Sequence, residues 1–365
     1  MSTSTAQPAS EKKNLTGFLL GLAVVIVLCF VTRYFYNIVK PMTLPGGIPG
    51  KVLEYPIWAA VIGLIFNWIF KATNVHERLT PGFKTELFLK VGLILLGGKV
   101  SFKVLVTAAG GAVIQGIIMV TCVYFFSWWL AGKFGLPDTL RAVMSTAVSI
   151  CGVSAAIASA GAVLAKKEEI TYVTALVIVT ALPLMVIAPL LARAMNLPDA
   201  VAGAWFGGNV DTTAAVVGAG TIYGETAETI ASIVKQTQNA LIGIVAFFLA
   251  YYFVAVVEGK GERPSMSIIW QRFPKFVLGF IIASLLFTFG FIHKEGLSPY
   301  ALIQNVKAWF FCAAFVCMGL ELSVSEFKKM GWNPVIVYLI VTLFNTLLAL
   351  GVSWLIFGWL FPVNL

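Results

Sequence analysis

"WFGGNVDTTAAVVGAG", Trp205 to Gly220, sets two glycines, an Asn, an Asp and two threonines into one run of an apolar chain. What surrounds the run decides how it is read. Of 365 residues, 59% are hydrophobic and 11% charged, with a mean hydropathy of +0.92. A soluble domain carries about 25% charged residues. Apolar runs of roughly 16 to 25 residues recur along the chain, each long enough to cross a hydrocarbon core as a helix. The fold class is therefore an all-α polytopic membrane protein.

The runs fall at about 15–38, 54–71, 85–100, 104–131, 139–165, 169–194, 200–223, 226–257, 274–292, 306–322 and 333–361, giving about eleven transmembrane segments. Residues 1–14 are expected to be a disordered polar tail. The run at 15–39 reads as an extra N-terminal transmembrane helix, since it is too long for a signal-peptide core and lacks a small-residue cleavage site. Residues 54–361 are expected to form a single further membrane domain. Counted over alternate loops, Lys12, Lys13, Lys71, Arg78, Lys84, Lys133, Arg141, Arg193, Lys260, Arg263, Arg272, Lys275, Lys328 and Lys329 fall on one side, which favours a cytoplasmic N-terminus.

The net charge of +9 is spread singly over the loops, without a basic block interleaved with aromatics, so nucleic acid is excluded as a partner. The lipid bilayer is the expected surrounding, and a homodimer is left open. The cysteines Cys29, Cys122, Cys151, Cys312 and Cys317 show no ligand pairing and read as buried thiols. His76 and His293 have no metal-ligand spacing. No metal or other cofactor is expected, although Na⁺ or H⁺ coupling is.

The opening run has a counterpart in "STAVSICGVSAAIAS", 145–159. Both go from apolar or small residues to Gly with hydroxyl or amide groups, then to a fresh Ala/Val helix. In lipid such a break survives only where protein or a water-filled cavity covers it. It leaves free N–H groups at a new helix N-terminus, a place that suits an anion. Ser149, Cys151, Gly152, Ser154, Gly208, Asn209, Thr212 and Thr213 are the expected substrate-binding residues, with the hydroxyls and amides as neutral donors or caps. Gly207 and Gly208 are expected to let the backbone leave helical geometry.

Asp211 and Lys235 are the expected coupling residues, because a carboxylate in a membrane span usually marks an ion or substrate pathway. Lys235 reads either as the counter-ion of Asp211 or as an anion ligand. Asn67, Gln115, Asn305 and Asn345 read as interhelical hydrogen-bonding residues. Lys99 and Glu321 read as side chains that snorkel to the interface. They occupy matching places in "GLILLGGKVS" (92–101) and "AFVCMGLELS" (314–323), and 151–169 lies over 210–228 with Glu169 on Glu228. These overlays predict two internal repeats.

The stretches "VGLILLGGKVSF" (91–102), "SICGVSAAIA" (149–158), "GGNVDTTAAVVGAG" (207–220) and "AETIASIVKQTQNAL" (227–241) resemble the YeiH-like family of sulfate exporters in bacterial inner membranes. The chain departs from the family pattern in its second motif, where Asp211, Thr212 and Ala215 stand in place of a His, an acidic residue and a Gln. The resemblance implies the cation:proton antiporter and anion transporter superfamily, inverted repeats, and two discontinuous helices that cross at mid-membrane. It implies a secondary transporter of a small anion, exporting sulfate or a small organosulfonate or carboxylate. The alternative is a Na⁺ or H⁺ antiporter with Asp211 as the cation site. A channel and a membrane-embedded enzyme are weaker readings; no nucleophile–base pair or carboxylate pair supports catalysis.

Overall fold

A chain with so few charges can satisfy its backbone inside a bilayer by helix, and helix is what it forms. The computed structural model describes residues 7–44, 48–49, 55–253, 275–292, 299–322 and 331–362. The helices are α1 (Gln7–Val39), α2 (Tyr55–Ala72), α3 (His76–Leu79) with a 3₁₀ turn at Thr80–Gly82, α4 (Thr85–Gly97), α5 (Phe102–Lys133), α6 (Asp138–Ser149) and α7 (Val153–Val163). There follow α8 (Lys167–Ala194), α9 (Asp199–Asn209), α10 (Thr213–Tyr223), α11 (Glu225–Ala240), α12 (Ile242–Tyr252), α13 (Phe276–Thr288), α14 (Tyr300–Leu320) and α15 (Asn333–Ser353), which runs into a π-turn at Trp354–Leu360. Among the described residues the one strand pairing joins Thr43–Leu44 to Ile48–Pro49.

Among the described residues, seven helical stretches are long and apolar enough to cross a membrane: Leu15–Val39, Tyr55–Ala72, Phe102–Lys133, Lys167–Ala194, Glu225–Tyr252, Tyr300–Leu320 and Asn333–Leu360. α1 begins at Gln7, within the stretch read as a tail; residues 1–6 lie outside the described residues. So do His293, Lys260, Arg263, Arg272, Lys328 and Lys329.

The crossing arrangement of the two broken segments needs correcting. Each half-helix holds 11 or 12 residues, about 17 Å, or roughly half of a hydrocarbon core. In the second segment, Tyr223 at the end of α10 donates its hydroxyl to the carbonyl of Leu197, just before α9. The Arg193 guanidinium, at the end of α8, donates to the carbonyl of Ile222. The end of α10 thus returns to the start of α9. In the first segment the Thr139 hydroxyl, in the first turn of α6, donates to Glu169 in the first turn of α8 at 2.9 Å. Both segments are re-entrant hairpins rather than crossing spans.

α8 connects them. Its 28 residues carry the chain from the mouth of the first hairpin to the mouth of the second, so the hairpins enter from opposite ends of α8. This moves the loop charges. Lys133, Arg141, Lys166 and Lys167 share one side of the bundle, whereas Arg193 lies on the other. Loop counting had placed Arg193 with Lys133 and Arg141 because it treated each hairpin as a crossing.

The chain divides into two units, residues 1–95 with 301–322 and residues 96–300 with 323–365. In the first, α2 and α14 meet at glycines. A Cβ on Gly63 would stand 2.3 Å from the carbonyl oxygen of Val316. Asn67 donates to the carbonyls of Gly319 (3.1 Å) and Leu322 (2.7 Å), the interhelical role expected of it. Cys29, Cys312 and Cys317 are buried in this unit; Cys122 of the second unit is exposed on α5, against the expectation of burial.

The second unit holds both hairpins, with α5, α8, α11 and α15 packed around them. Here Gly207 and Gly208 are not where the helix breaks. Both lie inside α9, and each serves close approach. A Cβ on Gly207 would stand 2.7 Å from the Cβ of Val234 in α11, and one on Gly208 would stand 2.5 Å from Nε2 of Gln115 in α5.

Candidate functional site

The two hairpins bring their tips together. Tip one is Ile150-Cys151-Gly152 and tip two is Val210-Asp211-Thr212. Gly152 has φ +66°, a conformation that side chains resist. A Cβ there would stand 2.5 Å from Cγ1 of Val177, 3.3 Å from Cγ2 of Thr212 and 3.4 Å from the carbonyl oxygen of Asp211. The tips therefore touch each other beside Val177 and Thr180, near the middle of α8.

Each tip follows from local chemistry. Both hairpins start on Leu-Pro-Asp, at 136–138 and 197–199, with each proline extended and an Asp in the first turn. α6 closes with the Gly152 N–H donating to the Ala147 carbonyl at 2.9 Å. α10 opens with Thr212 as its cap, the hydroxyl accepting from the Ala215 N–H at 3.2 Å.

Around tip two the buried polar groups converge from several helices. Asp211 is 1% exposed. Its Oδ2 accepts from the Tyr338 hydroxyl of α15 at 2.7 Å and from the Thr180 hydroxyl of α8 at 3.5 Å; its Oδ1 has no partner. Asn345 donates to the Asn209 carbonyl at 2.8 Å, and Thr346 donates to Asn209 Oδ1 at 2.7 Å. Asn209 Nδ2 remains unpartnered. Asn239 donates to the Thr213 hydroxyl at 3.2 Å, leaving its own Oδ1 open.

Lys235 lies one turn before Asn239 on the same face of α11. Fully buried, it donates to Gln238 Oε1 at 3.2 Å. It makes no direct ion pair with Asp211. The side-chain amide nitrogens of Gln236 and Gln238 are buried without partners.

The expected site residues thus divide. Gly152, Asp211 and Thr212 meet at the tips. Asn209, Thr213 and Lys235 join them through α15 and α11, and Cys151 is buried beside Gly152. Gly208 faces α5. Ser149 turns its hydroxyl to the Thr146 carbonyl of its own helix at 3.4 Å. Ser154 is half-buried. Tyr338 and Thr180 were not read from the sequence. Tyr338, Thr342 and Asn345 recur at helical spacing in "VYLIVTLFN", a polar stripe on an otherwise apolar helix.

At the mouths, Glu169 and Glu228 occupy equivalent places in the first turns of α8 and α11. Glu169 accepts from Thr139 and from the Lys166 N–H. Glu228 accepts from Lys99 at 3.0 Å, and Glu225 accepts from the same ammonium at 3.2 Å. The Lys99 side chain is 5% exposed, so it does not snorkel. Burial opposes its charge, yet Glu228 and Glu225 hold its pKa above the ordinary lysine value of 10.5.

Comparison with known proteins places the chain. Residues 17–338 match the family described as Conserved hypothetical protein 698, the YeiH family that the motifs resemble, and the chain belongs to it. It is 36% identical to the UPF0324 membrane protein RB9488 of Rhodopirellula baltica over 94% of this chain and 64% of that one. It is 36% identical to a UPF0324 membrane protein of Nitratidesulfovibrio vulgaris over 84% of this chain and 55% of that one. A further protein of that organism is 28% identical over 93% and 96%. The chain thus spans little more than half to two thirds of the first two relatives' length. No solved structure matches. With these relatives named as membrane proteins, the chain is a multi-pass membrane protein.

Proposed function

We propose that this member of the family is a secondary transporter of a small anion, bound where the two hairpin tips meet. The meeting of the tips beside buried, unpartnered donors carries the reading. A break at mid-membrane would put the first turns of α7 and α10, with their positive dipole ends, in the interior. Asn209 Nδ2, Gln236 Nε2, Gln238 Nε2 and the ammonium of Lys235 add donors that this structure leaves open. A buried amide without a partner costs about 1–3 kcal/mol, so several together fit a place that a solute completes.

Two hairpins entering from opposite ends of α8 suit alternating access, in which the same tips face one side and then the other. On this reading the hairpins are the halves of an inverted duplication, and the protein is a carrier of the bacterial inner membrane rather than an enzyme. The substrate class is sulfate or a small sulfonate or carboxylate, moved outward. A second reading rests on the open Oδ1 of Asp211, a position that Na⁺ or H⁺ can take, with the cation as the transported species.

The test is counterflow in proteoliposomes loaded with sulfate, ethanesulfonate or propionate, at two pH values with and without Na⁺. The anion reading expects saturable uptake accelerated by the same anion on the far side. Cation flux that is saturable and indifferent to every anion would leave the second reading in its place.

A further inference from the structure

The layer at tip two holds two opposite charges that are kept apart. Asp211 is fixed from α8 and α15 by Thr180 and Tyr338. Lys235 is fixed within α11 by Gln238. Both are buried to 2% exposure or less, where an opposite pair gains most by direct contact, yet they make none. Each keeps an unused valence: Oδ1 of Asp211 accepts nothing, and Lys235 has further N–H bonds to give.

The neutral polar groups around them are of both kinds. Asn239 keeps an open oxygen, Asn209 and Gln238 keep open N–H₂ groups, and Gln236 keeps both. Asn209 lies two residues from Asp211 and Asn239 one turn from Lys235, so the two charges alone set the poles. A simple anion would satisfy the donors and leave the carboxylate facing it.

Building on the anion-carrier reading, we infer that the solute is dipolar, with an acidic group held at Lys235 and Gln238 and an amine held by the open oxygen of Asp211. The formal charges of Asp211 and Lys235 cancel, so a zwitterion fills the layer without a companion ion. The amine is what separates this class from the plain anions.

Matched probes test it: β-alanine against propionate, and 2-aminoethanesulfonate against ethanesulfonate. Binding to the full chain in nanodiscs is measured by calorimetry, with and without Na⁺, for wild type, Asp211→Asn and Lys235→Gln. The expected result is at least tenfold tighter binding of each amine-bearing probe, independent of Na⁺. Asp211→Asn should bring both members of a pair to equal affinity, and Lys235→Gln should weaken both. If Asp211→Asn does not fold, the wild-type comparison and Lys235→Gln still decide. Plain anions that bind as well as their amines, or bind tightly only with Na⁺, overturn the dipolar solute and leave the anion carrier standing. Failure of all four probes to bind folded wild-type protein overturns both.

Discussion

The two hairpin tips share a geometry and differ in chemistry. Tip one uses no charged side chain. Its turn is made by the φ of Gly152, and its helix ends on its own backbone and on the Ser149 hydroxyl. Tip two is held by side chains from α8, α11 and α15, which reach Asp211, Thr213 and Asn209. One tip supplies a shape that lets the other approach, and the other supplies the groups that can bind. The mouths differ in parallel: Glu169 is met by a hydroxyl and an N–H, whereas Glu228 is met by the buried Lys99.

The largest effect is expected at the shape-making tip. Gly152→Leu must force a side chain into the left-handed region, at about 1–2 kcal/mol, and into a gap closed by Val177 at 2.5 Å, at about 1–3 kcal/mol more. Thermal unfolding should show a loss of several kcal/mol. Gly135→Ala is the control. Its φ of +68° is similar but nothing lies within 4 Å, so it should cost only the backbone part. Equal losses at both glycines would remove the case for contact between the tips.

Next come the mouths. Lys99→Met removes the buried ammonium from which Glu228 accepts, and breaking a buried pair from one side typically costs about 3–5 kcal/mol. Glu169→Gln keeps an acceptor for Thr139 and should cost about 1 kcal/mol. Because the Lys99 pKa is raised on folding, its contribution is complete below the unfolded value of 10.5. It disappears only as the pH rises through the folded value above that. Wild-type melting should therefore be insensitive to this pair at neutral pH. Loss of the pair's stability between about pH 7 and pH 10 would contradict its burial.

Much of this was legible in the sequence, and the reasons for the rest are physical. Hydropathy showed a helical membrane chain, and the Gly-and-polar runs marked both breaks, because only covered backbone can leave a helix in lipid. Hydropathy cannot tell a crossing from a hairpin, since 11 apolar residues up and 11 down look like one long span. The turn-back is carried by Tyr223, Arg193 and Thr139, whose partners are distant in sequence or follow a whole hairpin. The recurring Leu-Pro-Asp at 136–138 and 197–199 was a readable sign of equivalent entries that the motif overlays passed over. Gly207 and Gly208 were read as the break because a glycine pair so often is. Their role as contact points for Val234 and Gln115 appears only with α11 and α5 in place.

At the binding tip the effect on stability should be small and the effect on transport large. Asp211→Asn keeps an oxygen for Tyr338 and Thr180 to donate to, so unfolding should change by about 1 kcal/mol or less. The substitution removes the one group there that changes charge. Anion binding should persist, while the pH dependence of counterflow disappears. An Asn variant that keeps the wild-type pH profile would make Asp211 a structural cap.

The smallest effect is expected at Ser149, and it bears on the comparison most directly. The sequence made its hydroxyl an expected substrate donor at tip one, as it made that of Thr213 at tip two. In the structure that hydroxyl is spent on the Thr146 carbonyl one turn back, at 3.4 Å, a long bond within a single helix. Ser149→Ala removes a weak donation to a carbonyl that already accepts from the Ile150 N–H at 3.2 Å, so stability should move by less than about 0.5 kcal/mol. Anion affinity should stay within a factor of two. Thr213→Val is the matched change at the other tip. It leaves the Asn239 amide without its acceptor, which costs about 1–3 kcal/mol. Calorimetric titration of both variants with the same anion separates them. A tenfold loss in Ser149→Ala with none in Thr213→Val would reverse the assignment of shape to the first tip and binding to the second.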